Sequence, residues 1–200
     1  MRIYNKTLGY YLNSCGFAPT IYFQFYNLVI QMQLNNLNIS YICKKLTFMK
    51  DKIYIDTSVL GGYYDIEFEK DTKIFFNRVL NKEFSVYISE ITDTELLFAP
   101  ERVKSLLNEI PADCLTNLSI SKEVDDLANT YISEKALGKA SLNDAYHIAI
   151  ATVNKINVLV SWNFKHIVNL NKIRLFNSVN VKLGYSLIEI RCPKELISDE

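Results

Sequence analysis

Apolar and polar positions alternate along most of the chain in a way that predicts strands followed by helices. Short apolar runs bounded by turn residues are typical of buried strands, and longer stretches with an apolar stripe every three or four residues indicate helices. The predicted strands are Lys52–Asp56, Phe84–Ile88, Cys114–Ile120, Val158–Ser161 and Leu187–Ile190. The predicted helices are Phe68–Lys82, one from Ser89 to before Pro100, Glu101–Ile110, Ser121–Leu137, Ser141–Ile156, and short helices across Asn163–Leu183.

Proline and glycine residues mark several of these boundaries. Gly61–Gly62 is a turn signal, Pro100 and Pro111 end helices, and Gly138 ends the helix that begins at Ser121. Strands that alternate with helices favour an α/β fold with a mainly parallel sheet.

The first 48 residues differ from the rest of the chain. Their most apolar part, Phe17–Leu34, is interrupted by polar residues such as Gln24 and Asn27 and matches neither a membrane span nor a signal peptide. An amphipathic accessory helix is one interpretation of this stretch. The simpler hypothesis is that residues 1–48 are an extension outside the core, of the kind that upstream translation would produce, and that the working domain is 49–200.

Charge and cysteine usage narrow the functional classes. The chain is 49% hydrophobic and 22% charged, which suits a globular domain. Residues 1–48 hold four basic residues and no acidic one, so residues 49–200 hold 18 basic and 22 acidic residues. Nucleic-acid contacts of this domain must therefore be local or assisted by cations. The four cysteines are widely spaced, which favours a reducing cytoplasm. No membrane association is expected, because the most apolar stretch is too interrupted to span a bilayer.

Polar side chains at predicted strand ends are the candidates for chemistry, because open α/β sheets bind ligands beyond the carboxyl ends of their strands. Asp56 ends the first strand and Asn163 follows the strand that ends at Ser161. Glu95 and Asp144 lie on helices that can pack over the same end of the sheet.

Each of these residues also has a purely structural interpretation. Asp56 could cap a helix, as could Asn163. Glu95 could be a solvated acid on a helix face, and Asp144 could complete a capping box with Ser141. His147 is interpreted mainly as a structural residue that shares a face with Asp144, with assistance to the site as the alternative. His166 is interpreted as a surface or packing residue.

Together, the motifs that carry these residues resemble those of PIN-domain ribonucleases. The run IYIDTSVLGG resembles the first motif and SEITDTELLFAP the second. The stretch LNDAYHIAIATVNKINVLVSWNFKHI resembles the third and fourth. The resemblance spans about Ile53 to Ile190 and implies a three-layer α/β/α fold.

The resemblance also implies a role for each matching position. Asp56, Glu95 and Asp144 would coordinate Mg²⁺ or Mn²⁺, which all-oxygen sites favour over Zn²⁺. Asn163 stands where many members have a fourth acid, and could offer a neutral oxygen ligand or a hydrogen bond. The supporting residues, which would orient water or the carboxylates, are Thr57, Ser58 and Ser161.

The implied activity is metal-dependent hydrolysis of single-stranded or looped RNA, and the implied biological role is the toxin of a VapC-type toxin–antitoxin pair. That role brings a small antitoxin protein and a homodimer as expected partners. The alternative is a catalytically silent PIN-like module that binds RNA or protein, with Asn163 marking decay of the site. A phosphatase is disfavoured because the run IDTS lacks the second acid of an Asp-x-Asp motif.

Overall fold

The central sheet consists of five short strands that run in the same direction. In the computed structural model, which describes residues 50–197, the strands are β1 (Asp51–Ile55), β2 (Phe84–Ser89), β3 (Leu115–Leu118), β4 (Val158–Val160) and β5 (Glu189–Arg191). Their order across the sheet is β3-β2-β1-β4-β5, and every neighbouring pair is parallel. The predicted parallel sheet is confirmed.

Eight α-helices and two short 3₁₀ turns connect these strands in the described part of the chain. The helices are α1 (Thr57–Gly62), α2 (Glu69–Leu80), α3 (Glu90–Leu96), α4 (Glu101–Ser105), α5 (Lys122–Ser133), α6 (Leu142–Val153), α7 (Leu170–Lys182) and α8 (Pro193–Ile197). The 3₁₀ turns are Leu106–Glu109, which continues from α4, and Lys139–Ser141, which leads into α6.

Two apolar cores lie on opposite faces of the sheet. Successive residues of a strand point to opposite faces, so Tyr54 packs with buried side chains of α5, α6 and α7. Ile53 and Ile55 pack on the other face with buried side chains of α2, such as Phe75 and Phe76. This arrangement confirms the predicted three-layer α/β/α architecture.

The sheet order creates a crevice between β1 and β4. The chain runs outward from β1 to β2 and β3, then crosses to β4 and β5 on the other side of β1. In such sheets the point where the strand order reverses is the usual binding crevice. Ile55 pairs with Val160, and the backbone N–H of Asp56 donates to the Val160 carbonyl at 3.3 Å. Asp56 and Ser161 therefore enter the crevice side by side.

One predicted helix end is wrong. The helix that follows Ser121 ends at Ser133 rather than at Leu137. Lys135 adopts a left-handed backbone conformation, with φ of 59°, and this residue rather than Gly138 redirects the chain. The next helix is also shorter than predicted, since α6 begins at Leu142 and ends at Val153.

Three other predicted elements need correction. The stretch Glu101–Ile110 is divided between α4 and a 3₁₀ turn. Within the stretch Asn163–Leu183, residues 164–168 form a turn and a bend and only α7 (Leu170–Lys182) is a helix, which the Asn169 side chain caps by accepting a hydrogen bond from Lys172 N. The Gly61–Gly62 pair belongs to the end of α1 rather than to a separate turn.

The chain from Lys50 onward forms one compact unit. The predicted extension, residues 1–48, lies outside the described residues, and its separation from the domain stays a prediction. Across residues 50–197, no helix combines the length and the hydropathy that crossing a membrane requires.

Candidate active site

Asp56 lies where β1 meets α1 and is only 4% exposed. It caps α1, since its Oδ1 accepts a hydrogen bond from Val59 N at 3.3 Å. The Ser58 hydroxyl also donates to Oδ1, at 2.6 Å, and the Ser161 hydroxyl donates to Oδ2, at 2.6 Å. The capping interpretation is confirmed, and two hydroxyl groups from adjacent strand ends additionally hold the carboxylate in the crevice.

Burial raises the pKa of Asp56 above its ordinary value. The nearby His147 and the hydrogen bonds from Ser161 and Ser58 oppose this rise without cancelling it. A buried carboxylate whose pKa is raised is costly to ionise, and a bound cation removes that cost. The ionised form of Asp56 would therefore be stabilised by a positive ligand.

Glu95 reaches the crevice from α3, which begins directly at the carboxyl end of β2. Thr57 Oγ1 donates to its Oε2, Asn143 Nδ2 donates to its Oε1 at 3.1 Å, and His147 Nε2 lies 3.3 Å from Oε2. Burial alone would raise the pKa of Glu95, but the hydrogen bonds from His147 and Thr57 outweigh burial and lower it to about 2. Glu95 is thus held as a carboxylate, rather than lying free on a solvated helix face.

Asp144 approaches from the first turn of α6 and pairs with Asn163. Asn163 Nδ2 donates to Asp144 Oδ1 at 2.8 Å, while Asn163 Oδ1 accepts from His166 N at 3.0 Å. The Ser141 side chain makes no capping bond, so the capping-box interpretation of Asp144 is wrong. Asn163 Oδ1 caps the turn that follows it rather than a helix, because the next helix begins at Leu170 and is capped by Asn169, so the interpretation of Asn163 as a helix cap is wrong.

Hydrogen bonds connect the candidate residues into one cluster. Ser161 Oγ donates to Asp56 and accepts from Asn163 N at 2.8 Å, and Asn163 in turn contacts Asp144. Thr57, which follows Asp56 in the sequence, donates a hydrogen bond to Glu95. The structure therefore places all seven candidates in one region of the crevice: Asp56, Thr57, Ser58, Glu95, Asp144, Ser161 and Asn163.

A buried polar chain behind Glu95 consists of Tyr54 and Ser89, which were not predicted to belong to the site, and His147, for which assistance to the site was the alternative interpretation. Tyr54 OH lies 2.6 Å from Ser89 Oγ and 2.7 Å from His147 Nδ1, and His147 is 3% exposed. Burial raises the pKa of Tyr54, so the phenol keeps its proton. With a neutral imidazole, Tyr54 donates to Nδ1 and Nε2–H donates to Glu95. The only sequence signals were the positions of Tyr54, two residues before Asp56, and of His147, three residues after Asp144.

The donor chemistry of the cluster fits a hard divalent cation. The three carboxylates are connected through the hydroxyl and amide groups between them, and the cluster contains no cysteine. Sets of oxygen ligands of this kind suit Mg²⁺ or Mn²⁺. Within residues 50–197, however, no three Asp, Glu, His or Cys side chains are already arranged to hold a metal ion. The carboxylates are engaged by hydroxyl, amide and imidazole groups, which a cation would have to replace in part.

The fold and the acidic crevice define an α/β/α protein with a polar site at the reversal of strand order. The PIN domain model matches residues 53–165, more than half of the chain, and the chain belongs to the PIN domain family. The resemblance seen in the motifs is confirmed. PIN domains are generally nucleases that use divalent metals, which supports a hydrolase.

The chain was also compared with curated proteins and with solved structures. No curated protein matches the sequence. Among solved structures, the chain is similar to VapBC2 from Rickettsia felis bound to a DNA fragment from their promoter (14% identity, TM-score 0.45), with 70% of this chain and 98% of that chain covered. It is also similar to FitAB bound to the IR36 DNA fragment, with 18% identity and a TM-score of 0.47, and the match covers 71% of this chain and 95% of that chain. A third similar structure is FitAcB from Neisseria gonorrhoeae, with 17% identity and a TM-score of 0.45, and the match covers 70% of this chain and 97% of that chain.

Proposed function

We propose that this protein is a metal-dependent endoribonuclease that hydrolyses phosphodiester bonds in single-stranded or looped RNA. The observation that supports this most is the convergence of three acids from β1, α3 and α6 on one crevice of a PIN domain. Capping accounts for Asp56 taken alone, but it does not account for the hydrogen bonds that connect the neighbouring residues of Asp56 to Glu95 and to Asp144.

The metal in this proposal is Mg²⁺ or Mn²⁺, held by Asp56, Glu95 and Asp144. When bound, such an ion lowers the pKa of a water molecule and stabilises the charge of in-line displacement at phosphorus. The protein's own contribution is to orient the acids: Ser58 and Ser161 hold Asp56, and the groups around Glu95 keep it ionised.

RNA with unpaired nucleotides is the substrate that fits an acidic crevice at a sheet edge. Single strands and loops expose a flexible backbone that can enter a crevice, whereas a duplex presents a rigid shape. A bound cation also makes the acidic cluster hospitable to a polyanion. Attack of water on phosphorus with departure of the 3′-oxygen would leave a 5′-phosphate and a 3′-hydroxyl, the products that the resemblance to PIN-domain ribonucleases implies together with the metal-water mechanism.

The biological role in this proposal is that of a toxin held inactive by a small antitoxin protein in the cytoplasm. This part rests on the resemblance of the motifs to VapC-type toxins, and the homodimer has the same basis. It is separable from the chemistry, because a PIN nuclease without an antitoxin would use the same site.

The test is cleavage of a mixed set of structured RNAs by the purified full-length chain. We expect cleavage with Mg²⁺ or Mn²⁺, none with a chelator, and none for Asp56→Asn or Asp144→Asn. Asp126→Asn is the matched control, because Asp126 is an exposed helix acid outside the crevice. Cleavage that survives both the chelator and Asp56→Asn would contradict the proposed site.

A silent PIN-like module that binds RNA or protein is the second candidate. Two observations favour it. Asn163, which stands where many members have a fourth acid, donates its amide to Asp144. Glu95 and Asp56 likewise accept hydrogen bonds from other side chains of the domain. In that case the chain would bind RNA or a partner without cleavage at any divalent metal concentration. Thermal stabilisation by Mg²⁺ would then also be missing from the wild type.

A further inference from the structure

A groove of about 550 Å³ lies between the end of α5, the loop that follows it and the start of α7. Its basic lining residues are Lys135, Lys139 and Lys172, and its apolar ones include Ile132 and Leu137. Among residues 50–197, no acidic side chain lines it. In a domain where acidic residues outnumber basic ones, this is a local concentration of positive charge.

The three lysines of the groove have free ammonium groups in the described part of the chain. Other lysines of the domain are paired: Lys182 pairs with Glu134 at 2.6 Å, and Lys82 pairs with Asp113 at 2.8 Å. The groove lysines make no such pair within residues 50–197. Their positive charge is therefore available to an anionic ligand.

The groove is close along the chain to the acidic cluster. The 3₁₀ turn that contains Lys139 leads directly into α6, which carries Asp144 in its first turn. Lys139 is five residues before Asp144, and a chain of that length spans at most about 18 Å between its Cα atoms. A lysine side chain on this turn can therefore contact RNA within a few nucleotides of a phosphate held at the acids.

We propose that this groove binds the sugar–phosphate backbone of the RNA beside the scissile bond, with Lys135, Lys139 and Lys172 contacting phosphates. This inference rests on the proposed function and names the surface that would hold its substrate. It also answers the charge problem, since an acidic domain needs a local cationic surface to attract a polyanion. The apolar part of the lining offers a surface for an unpaired base.

Lys135 allows a substitution that removes charge without straining the fold. Its left-handed backbone, with φ of 59°, favours glycine over any residue with a side chain. Lys155 has the same conformation, with φ of 52°, and is exposed but does not line the groove. Lys135→Gly and Lys155→Gly are therefore a matched pair that differs only in where the positive charge is removed.

The experiment measures binding of a labelled single-stranded RNA of twelve nucleotides at several salt concentrations. All variants are made in the full-length chain with Asp56→Asn and with Mg²⁺ present, so that the RNA stays intact. We expect weaker binding for Lys135→Gly and about tenfold or greater weakening when Lys139→Gln and Lys172→Gln are added. The slope of log K against log salt should fall by about 0.7 for each phosphate that a lysine no longer neutralises.

Lys155→Gly should bind as its parent does, and melting curves establish that each variant is folded. The proposal is overturned if the triple variant matches Lys155→Gly in affinity and salt slope, or if the parent binds no RNA. Cleavage separates this result from the proposed function. RNA that binds through the groove but is never cleaved by the chain with native Asp56 would overturn the nuclease proposal alone. Cleavage with unchanged KM, when the three lysine substitutions are made in the chain with native Asp56, would overturn the groove proposal alone.

Discussion

Asn163 directs its amide nitrogen, not its oxygen, at Asp144: Nδ2 lies 2.8 Å from the carboxylate Oδ1. The amide oxygen faces the other way and accepts from His166 N at 3.0 Å. Because a backbone N–H can only donate and an ionised carboxylate can only accept, this orientation follows from the two partners. Of the two roles considered for Asn163, the structure therefore shows the hydrogen bond and not a ready oxygen ligand.

Asn163→Asp should reveal whether the amide acts in place of a cation. Without metal, the new carboxylate at position 163 cannot donate the hydrogen bond that Asn163 gives to Asp144. The two carboxylates repel each other instead. We expect the free energy of unfolding to fall by about 2 kcal/mol in a chelator. With Mg²⁺ the loss should shrink and cleavage should persist or increase. Denaturant titrations with and without Mg²⁺ measure both effects.

Asn163→Ala is the control, because it removes the amide without adding charge. A stability loss for Asn163→Asp that is unchanged by Mg²⁺ would mean that no cation enters between these two side chains. A large loss of cleavage in Asn163→Asp, together with a normal fold, would mean that the amide donor itself is required.

The sequence predicted the site residues at the strand ends better than the residues that contact and orient them. Asp56 and Asn163 were found because a parallel sheet brings the carboxyl ends of its strands to one edge, a rule that needs no side-chain detail. The contact between His147 and Glu95 depends on how α6 packs against α3, which periodicity does not specify. Lys135 ends α5 in a conformation that favours glycine, so the sequence pointed instead to Gly138.

Tyr54→Phe should show whether the buried chain behind Glu95 acts on catalysis or only on stability. The substitution leaves Ser89 Oγ and His147 Nδ1 without their shared partner, so we expect unfolding to become easier by about 1–3 kcal/mol. Because His147 then loses the bond that orients its ring toward Glu95, kcat should fall more than KM changes. Steady-state cleavage and denaturant unfolding provide the two measurements.

Tyr131→Phe is the matched control for that variant. Tyr131 is also fully buried and donates its hydroxyl to Asn180 Oδ1 at 2.6 Å, on the same face of the sheet but in contacts outside the acidic cluster. It should lose similar stability and keep its kcat. Equal kcat values for the two variants would limit Tyr54 to a structural role.

Gly62→Ala should disturb the site through Trp162. A Cβ atom at position 62 would lie 2.7 Å from the Trp162 ring, and that ring donates to Thr72 Oγ1 at 2.9 Å. Overpacking of this kind costs about 1–3 kcal/mol. Because the backbone N–H of Trp162 donates to Ser58 Oγ, a shifted Trp162 also moves a group that holds Asp56.

Gly61→Ala is the natural comparison, because a Cβ atom at position 61 meets no atom within 4 Å. Alanine is the better helix former, so this variant should gain about 0.5–1 kcal/mol. Thermal melts of the two alanine variants should therefore shift in opposite directions. A shift in the same direction would show that the space around Gly62 adapts, and that Trp162 does not depend on it.

The two acids nearest His147 should respond to pH with opposite signs. The pKa of Glu95 is lowered in the folded chain to about 2, so its stabilising contribution is complete above its unfolded value near 4.5 and is lost as pH falls toward 2. The pKa of Asp56 is raised in the folded chain above 3.8. Its ionisation therefore lowers stability at neutral pH, and that penalty disappears as pH falls through the folded pKa.

Metal-free unfolding between pH 3 and pH 7 separates these contributions. Asp56→Asn should be more stable than the wild type at pH 7, and its advantage should narrow as pH decreases. Glu95→Gln should be less stable at pH 7 by roughly 2 kcal/mol and approach the wild type below pH 4. If the free energies of unfolding of Asp56→Asn and the wild type change in parallel with pH, burial does not raise the pKa of Asp56. If instead the curves converge as expected, Mg²⁺ at pH 7 should reverse their order, because a cation relieves the buried charge only where the carboxylate is present.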